Sequence, residues 1–219
     1  VKESDVEFLP NTVRVGEERI AFPEFVQMAY QARVSLSSSG FYATPDIHWD
    51  SAKAKGQPFF YFSYGAAVTE SVIDTLTGEN RILRVDILHD VGKSLNPAID
   101  LGQIEGGYVQ GAGWLTMEEL VYDAKGRLTT HAPSTYKIPA CSDRPPDLRV
   151  NLWASEGNPA KTVYRSKAVG EPPLMLGISA FYALSDAISA AGDYQTDPLL
   201  DAPATPERVL MAVERLRKS

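Results

Sequence analysis

The chain has 219 residues, 44% of them hydrophobic and 22% charged, with a formal net charge of −7. That profile belongs to a folded globular protein, long enough for one large domain or two small ones, and not to a disordered or fibrous chain. No nucleic-acid surface is expected, because phosphate binding needs clustered Lys and Arg and the longest basic run is the terminal RLRKS.

The opening VKESDVEFLP has no Met and no targeting pattern, and reads as a stretch taken from within a longer protein. Short extended pieces follow at Thr12–Val15 and Arg19–Phe22. Pro23 then opens a helix, with Phe25, Val26, Ala29, Tyr30 and Arg33 at helical spacing and SLSSSG as its end. Residues 41–57 are expected to be loop. The clearest β signal is residues 59–90, where two aromatic and β-branched runs flank TGEN, predicting an antiparallel pair. VGKSLNP is a loop, residues 98–120 a helix, and YDAKGRL a short strand pair turning at Lys125-Gly126. Residues 133–147 are a proline-rich loop and LRVNLWAS a strand. A helix is predicted over 172–191, starting at Pro172-Pro173. A last one is capped by Thr205, with Pro206 at its first position. This order predicts an α+β fold with an antiparallel or mixed sheet and packed helices. No apolar run is read as approaching the roughly 20 residues of a bilayer span, so no membrane role is expected. The lone cysteine, Cys141, excludes a disulfide framework or a CxxC cluster site and fits a reducing, cytoplasmic setting.

Two stretches invite chemistry. In SKAVGEPPLML, Glu171 lies just before the apolar stripe Pro173, Leu174, Ile178, Phe181, Leu184 and Ile188. A helix start would lower its pKa and apolar surroundings would raise it. A rigidly held carboxylate there suits a general base, while an ordinary helix-capping acid accounts for the same spacing. In DLGQIEGGYVQGAGWL, helical winding puts Leu101, Ile104, Tyr108, Ala112 and Leu115 on one face and Gln103, Gly106, Gly107 and Gln110 on the other. Glycine inside a helix costs roughly 1 kcal/mol relative to alanine, so something must offset it. Close approach of a heteroatom-rich cofactor, with the amides as donors and acceptors, would do so; tight helix packing would too. His48, His89 and His131 lack ligand spacing, and Asp90 and Asn96 are placed to brace the turn between them. Ser134, Thr135 and Tyr136 read as a loop brace, and Cys141 has no basic partner nearby.

GFYATPD, YGAAVTESVIDTLTG, DVGKSLNPAIDLGQIEGGYVQGAG, PSTYKIPA, SKAVGEPPLML and DAPATPER, in this order and spacing, resemble the xanthine dehydrogenase/xanthine oxidase family from about Gly40 onward. The resemblance is to the C-terminal portion of its molybdenum-cofactor-binding domain or subunit, with residues 1–219 as one segment and 1–40 a lead-in that carries little of it. It implies a molybdenum-pyranopterin cofactor, with Gln103 and Gly170 beside it and no protein ligand to the metal from this chain. It also implies that Glu171 is the base that takes a proton from the metal's hydroxyl ligand. Hypoxanthine and xanthine would be hydroxylated to urate with water as the oxygen source. Aldehyde oxidases and other N-heterocycle hydroxylases share the scaffold, and a packing or dimerisation domain without the cofactor is the non-catalytic alternative. The family's purine-gripping Arg, second Glu and stacking Phe residues lie upstream of this stretch. Two [2Fe–2S] clusters, FAD and an NAD site are implied on other domains or chains, in an assembly with two catalytic units. On this reading residues 1–219 are active only within the complete assembly.

Overall fold

A computed structural model describes residues 2–218 of the chain. It divides into two compact units, Val1–Ala43 and Thr44–Ser219. In the first, β1 (Val6–Leu9), β2 (Thr12–Val15) and β3 (Glu18–Ala21) form an antiparallel meander. The β1–β2 turn puts Asn11 at φ 57° and the β2–β3 turn puts Gly16 at φ 61°, the positive values that tight hairpins between right-twisted strands require. Val13, on the middle strand, is fully buried. Helix α1 (Phe22–Gln31) follows directly, so Phe22 opens a helix and does not end a strand as expected. Phe25 meets Phe8 edge to face at 6.2 Å, tying helix to sheet.

The second unit starts with a short hairpin, β4 (His48–Asp50) and β5 (Lys55–Gln57), inside the stretch expected to be loop. Strand propensity is poor there; the pairing is carried by backbone hydrogen bonds, with Asp50 Oδ1 accepting the amides of Ala52 and Lys53 across the turn. The main sheet has the order β6 (Gly65–Ile73), β7 (Asn80–His89), β8 (Asp147–Leu152). β6 and β7 are antiparallel around the TGEN turn, as expected, but the aromatic run at residues 59–64 lies outside the strand; β8 adds in parallel, pairing Arg84 with Asp147 through His89 with Leu152. Along β7 the side chains alternate. Val85, Ile87 and His89 point into the core, while Arg84 and Asp86 lie on the other face, where Arg84 bridges Asp86 at 2.6 Å.

Helix α2 (Pro97–Thr116) covers the inner face of this sheet. Asn96 caps it by accepting the Ile99 amide, and Pro97 sits at its first position. Ile104 and Tyr108 are fully buried among Val85, Ile87 and Ala180. The Tyr108 hydroxyl finds Thr69 Oγ1 at 3.0 Å, and that oxygen is 2.7 Å from Ser179 Oγ, so the buried phenol is satisfied. YDAKGRL, expected as a strand pair, reduces to a single bridge between Tyr122 and Leu128. The helix expected over 172–191 comes in two pieces: a 3-10 turn, Pro172–Gly177, and α3 (Ile178–Ala191). Pro172 and Pro173 occupy first-turn positions, whose amides need no intrahelical acceptor. Helix α4 (Pro206–Lys218) starts at Thr205, whose Oγ1 accepts the Arg208 amide, and closes a second core of Leu184, Ile188, Val209, Ala212 and Val213.

One exclusion needs correction. Residues 172–191 are long and apolar enough, by length and composition, to cross a membrane. In the fold this stretch is a core element, since Ala180, Leu184 and Ile188 are fully buried against the sheet and α4. The α+β class with a mixed sheet holds.

Candidate cofactor-binding face

The candidate residues sit on two elements that interlock through glycine. A Cβ on Gly107 would lie 2.8 Å from Pro173 Cβ, and one on Gly111 would overlap the Leu174 carbonyl oxygen. Gly177 abuts the Gly111 backbone in turn. Helix α2 and the Pro172–Gly177 turn therefore pack backbone to backbone. For Gly107 and Gly111 the packing explanation of the helical glycines is correct. Gly107 does not belong to the open face with Gln103, as helical winding alone suggested.

Gly102 and Gly106 are different, because a side chain on either would meet nothing within 4 Å. They flank Gln103 on the exposed side of α2, with Gln110 one turn further on. The interlock brings the Gly170–Glu171 turn to this side: a Cβ on Gly170 would lie 3.7 Å from Gln103 Oε1. So Gln103 and Gly170, 67 positions apart in the sequence, are neighbours. Glu171 stands at the position preceding the 3-10 turn, but its side chain makes no capping hydrogen bond. Its backbone carbonyl accepts the Leu174 amide at 3.1 Å instead. The capping role considered for it is therefore not what its carboxylate does. Gln103, Gly170 and Glu171 are all exposed.

Lys167 and Asn158, for which the sequence suggests no role, help hold this turn in place together with Asp90. Lys167 Nζ donates to Asp90 Oδ2 at 2.6 Å and to the Phe62 carbonyl at 2.9 Å, and lies 5.1 Å from the Tyr64 ring centroid. Asp90 Oδ1 accepts the Gly92 amide at 2.8 Å, the turn brace expected of it. Burial pushes the Asp90 carboxyl up, but Lys167 and the Gly92 N–H outweigh it, and the carboxyl is held below the usual range. Next to it, burial pushes the His89 imidazole down, with Lys167 adding to the effect and Asp90 opposing it. Asn158, fully buried, donates to Thr162 Oγ1 and the Ser166 carbonyl and accepts the Ala160 amide. Nothing in the sequence pairs Asp90 with Lys167, which lie 77 positions apart.

The other candidates fall elsewhere. Thr135 and Tyr136 brace their loop, through the Ala132 carbonyl and Glu118 Oε2 at 2.5 Å, as expected. His131 Nδ1 pairs with the Leu128 carbonyl, and Cys141 is exposed. A cavity of about 710 Å³ lined by Phe59, Phe62, His89 and Pro172 lies beyond the Glu171 turn.

An open face with glycines at Gly102 and Gly106, an exposed amide at Gln103, and an exposed carboxylate one residue beyond Gly170 fits an extended group rich in hydrogen-bonding atoms. Residues 1–145 match the family described as the molybdopterin cofactor-binding domain. The chain belongs to this family. Gallus gallus xanthine dehydrogenase/oxidase is 51% identical over 192 residues, covering 86% of this chain and 14% of that protein. Oryza sativa subsp. japonica xanthine dehydrogenase is 49% identical over 203 residues, 88% of this chain and 15% of that protein. This molybdopterin cofactor-binding segment thus spans about 14% of the length of the first of these relatives. Among solved structures, the aldehyde oxidoreductase of Desulfovibrio gigas matches with a TM-score of 0.65 at 25% identity, over 86% of this chain and 20% of that one. The molybdopterin-binding fold expected for the segment is the fold it has.

Proposed function

We propose that residues 1–219 are one segment, the C-terminal portion of the molybdenum-cofactor-binding part of a hydroxylase that converts hypoxanthine and xanthine to urate. The observation that carries this reading is the meeting of Gln103 with the Gly170–Glu171 turn on a glycine-lined, open face. Identity of about half to xanthine dehydrogenases supports the purine as substrate.

On this reading Gln103 holds the cofactor through its amide, and Gly170 leaves room for it. When bound, the pyranopterin-held molybdenum supplies oxidising chemistry with oxygen drawn from water. Glu171 is the general base. Its exposed carboxylate takes up the proton released as the purine carbon is attacked, and the interlocked turn orients it before substrate arrives. The residues that grip the purine, two [2Fe–2S] clusters, FAD and an electron-acceptor site belong to other domains or chains. The working enzyme is a cytoplasmic assembly with two catalytic units, and the isolated chain neither holds molybdenum nor turns over.

The test is xanthine turnover by the complete assembly, wild type against Glu171→Gln, normalised to molybdenum content. A loss on the order of 10²-fold or more at equal molybdenum is expected, since the amide keeps the size but accepts no proton. Equal rates would remove Glu171 from the chemistry. The likeness to an aldehyde oxidoreductase favours a second reading, in which the same site acts on aldehydes. A wild type that ignores xanthine and oxidises aldehydes decides for it, and an assembly without molybdenum points to a non-catalytic packing role.

A further inference from the structure

We propose that Asp90 and Lys167 are a positioning pair that holds the Glu171 turn in register with the helix bearing Gln103. The proposal rests on the reading of Glu171 as the base. Asp90 ends the connection from β7 and begins the loop that leads, through the Asn96 cap, into α2. Lys167 lies four residues before Glu171. Their ion pair therefore joins the two strands of chain that carry the site.

Lys167 is buried and Asp90 half-buried, their side chains 4% and 17% exposed. Every part of it is partnered. Lys167 also bonds the Phe62 carbonyl, and Asp90 also bonds the Gly92 amide. The backbone repeats the link: Lys167 N–H donates to the Val91 carbonyl at 2.8 Å and Lys93 N–H to the Arg165 carbonyl at 2.9 Å. Gly92 takes φ 63°, and a Cβ there would crowd the Arg165 carbonyl, so the two segments lie as close as backbone allows. Ala168 is gripped on both sides, its amide donating to Tyr61 Oη at 2.8 Å and its carbonyl accepting from Ser63 Oγ at 3.0 Å. Downstream, Pro173 and Leu174 are locked onto Gly107 and Gly111. Glu171 hangs between these two anchors. A buried ion pair is no more stabilising than a well-packed apolar pair, because desolvation offsets the attraction. What it supplies over an apolar pair is direction: a short, charge-assisted bond fixes the relative placement of the two segments. A displacement of about 1 Å at a catalytic group can cost on the order of 10²-fold in rate.

The test uses the complete assembly and removes both charges together, Asp90→Asn with Lys167→Met, so that no unpaired charge is left buried. The double variant, Glu171→Gln and the triple variant are compared with wild type for xanthine turnover per molybdenum, KM, and hydrogen exchange of the amides at 166–171. The expected result for the double variant is a fall in kcat per molybdenum of about tenfold or more with KM little changed, together with faster exchange in 166–171. The triple variant should be no slower than Glu171→Gln alone, because the pair acts through Glu171. Lys167→Arg, which keeps the charge, should recover part of the rate. Turnover per molybdenum at the wild-type level in the double variant overturns the proposal, as does a loss confined to molybdenum content. So does a triple variant whose loss is the product of the two separate losses. Wild-type turnover in Glu171→Gln overturns the base reading, and the positioning role with it; the exchange result then still reports whether the clamp itself exists.

Discussion

Placing alanine at Gly111 and at Gly106 should have opposite effects, although both lie on α2 and both are glycines in a helix. At an open helical position, alanine gains up to about 1 kcal/mol over glycine. At Gly106 nothing lies within 4 Å of the added Cβ, so the local helix should gain that amount. At Gly111 the Cβ would sit on the Leu174 carbonyl oxygen, 3.1 Å from its carbon and 3.3 Å from Gly177 Cα. Ordinary carbon contacts are roughly 3.5–4.0 Å, and both neighbours are backbone, so the turn must move away from the helix. Overpacking of this kind typically costs about 1–3 kcal/mol, which exceeds the helical gain. The movement displaces Glu171 relative to Gln103, which should lower turnover per molybdenum on the order of 10²-fold. Gly106→Ala should instead slow hydrogen exchange along α2 while lowering molybdenum content, since the methyl occupies space proposed for the cofactor. The assay is hydrogen exchange of the α2 and 170–177 amides in the complete assembly, with molybdenum content and turnover measured on the same samples. Unchanged exchange and activity in Gly111→Ala would refute the interlock. Full molybdenum loading in Gly106→Ala would refute the cofactor assignment of this face.

Lys167→Met alone should destabilise the unit more than Asp90→Asn with Lys167→Met, because it leaves the half-buried Asp90 carboxylate with only the Gly92 amide; denaturant unfolding of the two variants side by side checks the order. The Asp90 carboxyl is depressed in the fold, so the pair's stabilisation is fully present above the ordinary carboxylate value of about 3.9 and is lost as pH falls through the folded value. An acid titration of stability should therefore lose part of its slope below about pH 4 in the double variant, and an identical slope would contradict the assignment. His89 is 1% exposed, and its imidazole is held below its usual value of about 6.5. The unfolded chain then binds the proton more readily, so His89 withdraws stability as pH falls below about 6.5, and His89→Leu should flatten the unfolding midpoint between about pH 6.5 and 5.

Much of the architecture was legible because it depends on local chemistry. Alternating apolar residues around TGEN determine the β6–β7 pair, and Asn96-Pro97 and Thr205-Pro206 mark the starts of α2 and α4. Where local signals are weak, the fold departs from them. The β4–β5 hairpin has little strand propensity, the Lys125-Gly126 turn supports only one bridge, and the 172–191 helix begins as a separate 3-10 turn packed on α2. The parallel addition of β8 to β7 joins segments some sixty residues apart, and no local periodicity encodes it.

Within the site, the residue types and their motif were visible in the sequence by itself: a glutamine among helical glycines and a glutamate between a glycine and two prolines. Two helical glycines of the same appearance proved different, Gly111 filled by Leu174 and Gly106 open, because only the position of the packed turn tells contact from empty space. The nearness of Gly170 to Gln103, the unused capping position of Glu171 and the Asp90–Lys167 tie all depend on chain segments far apart in sequence. The sequence determined which chemical groups are available and which local elements carry them; the tertiary structure decided which groups meet, because proximity across long loops is set by packing and not by residue type.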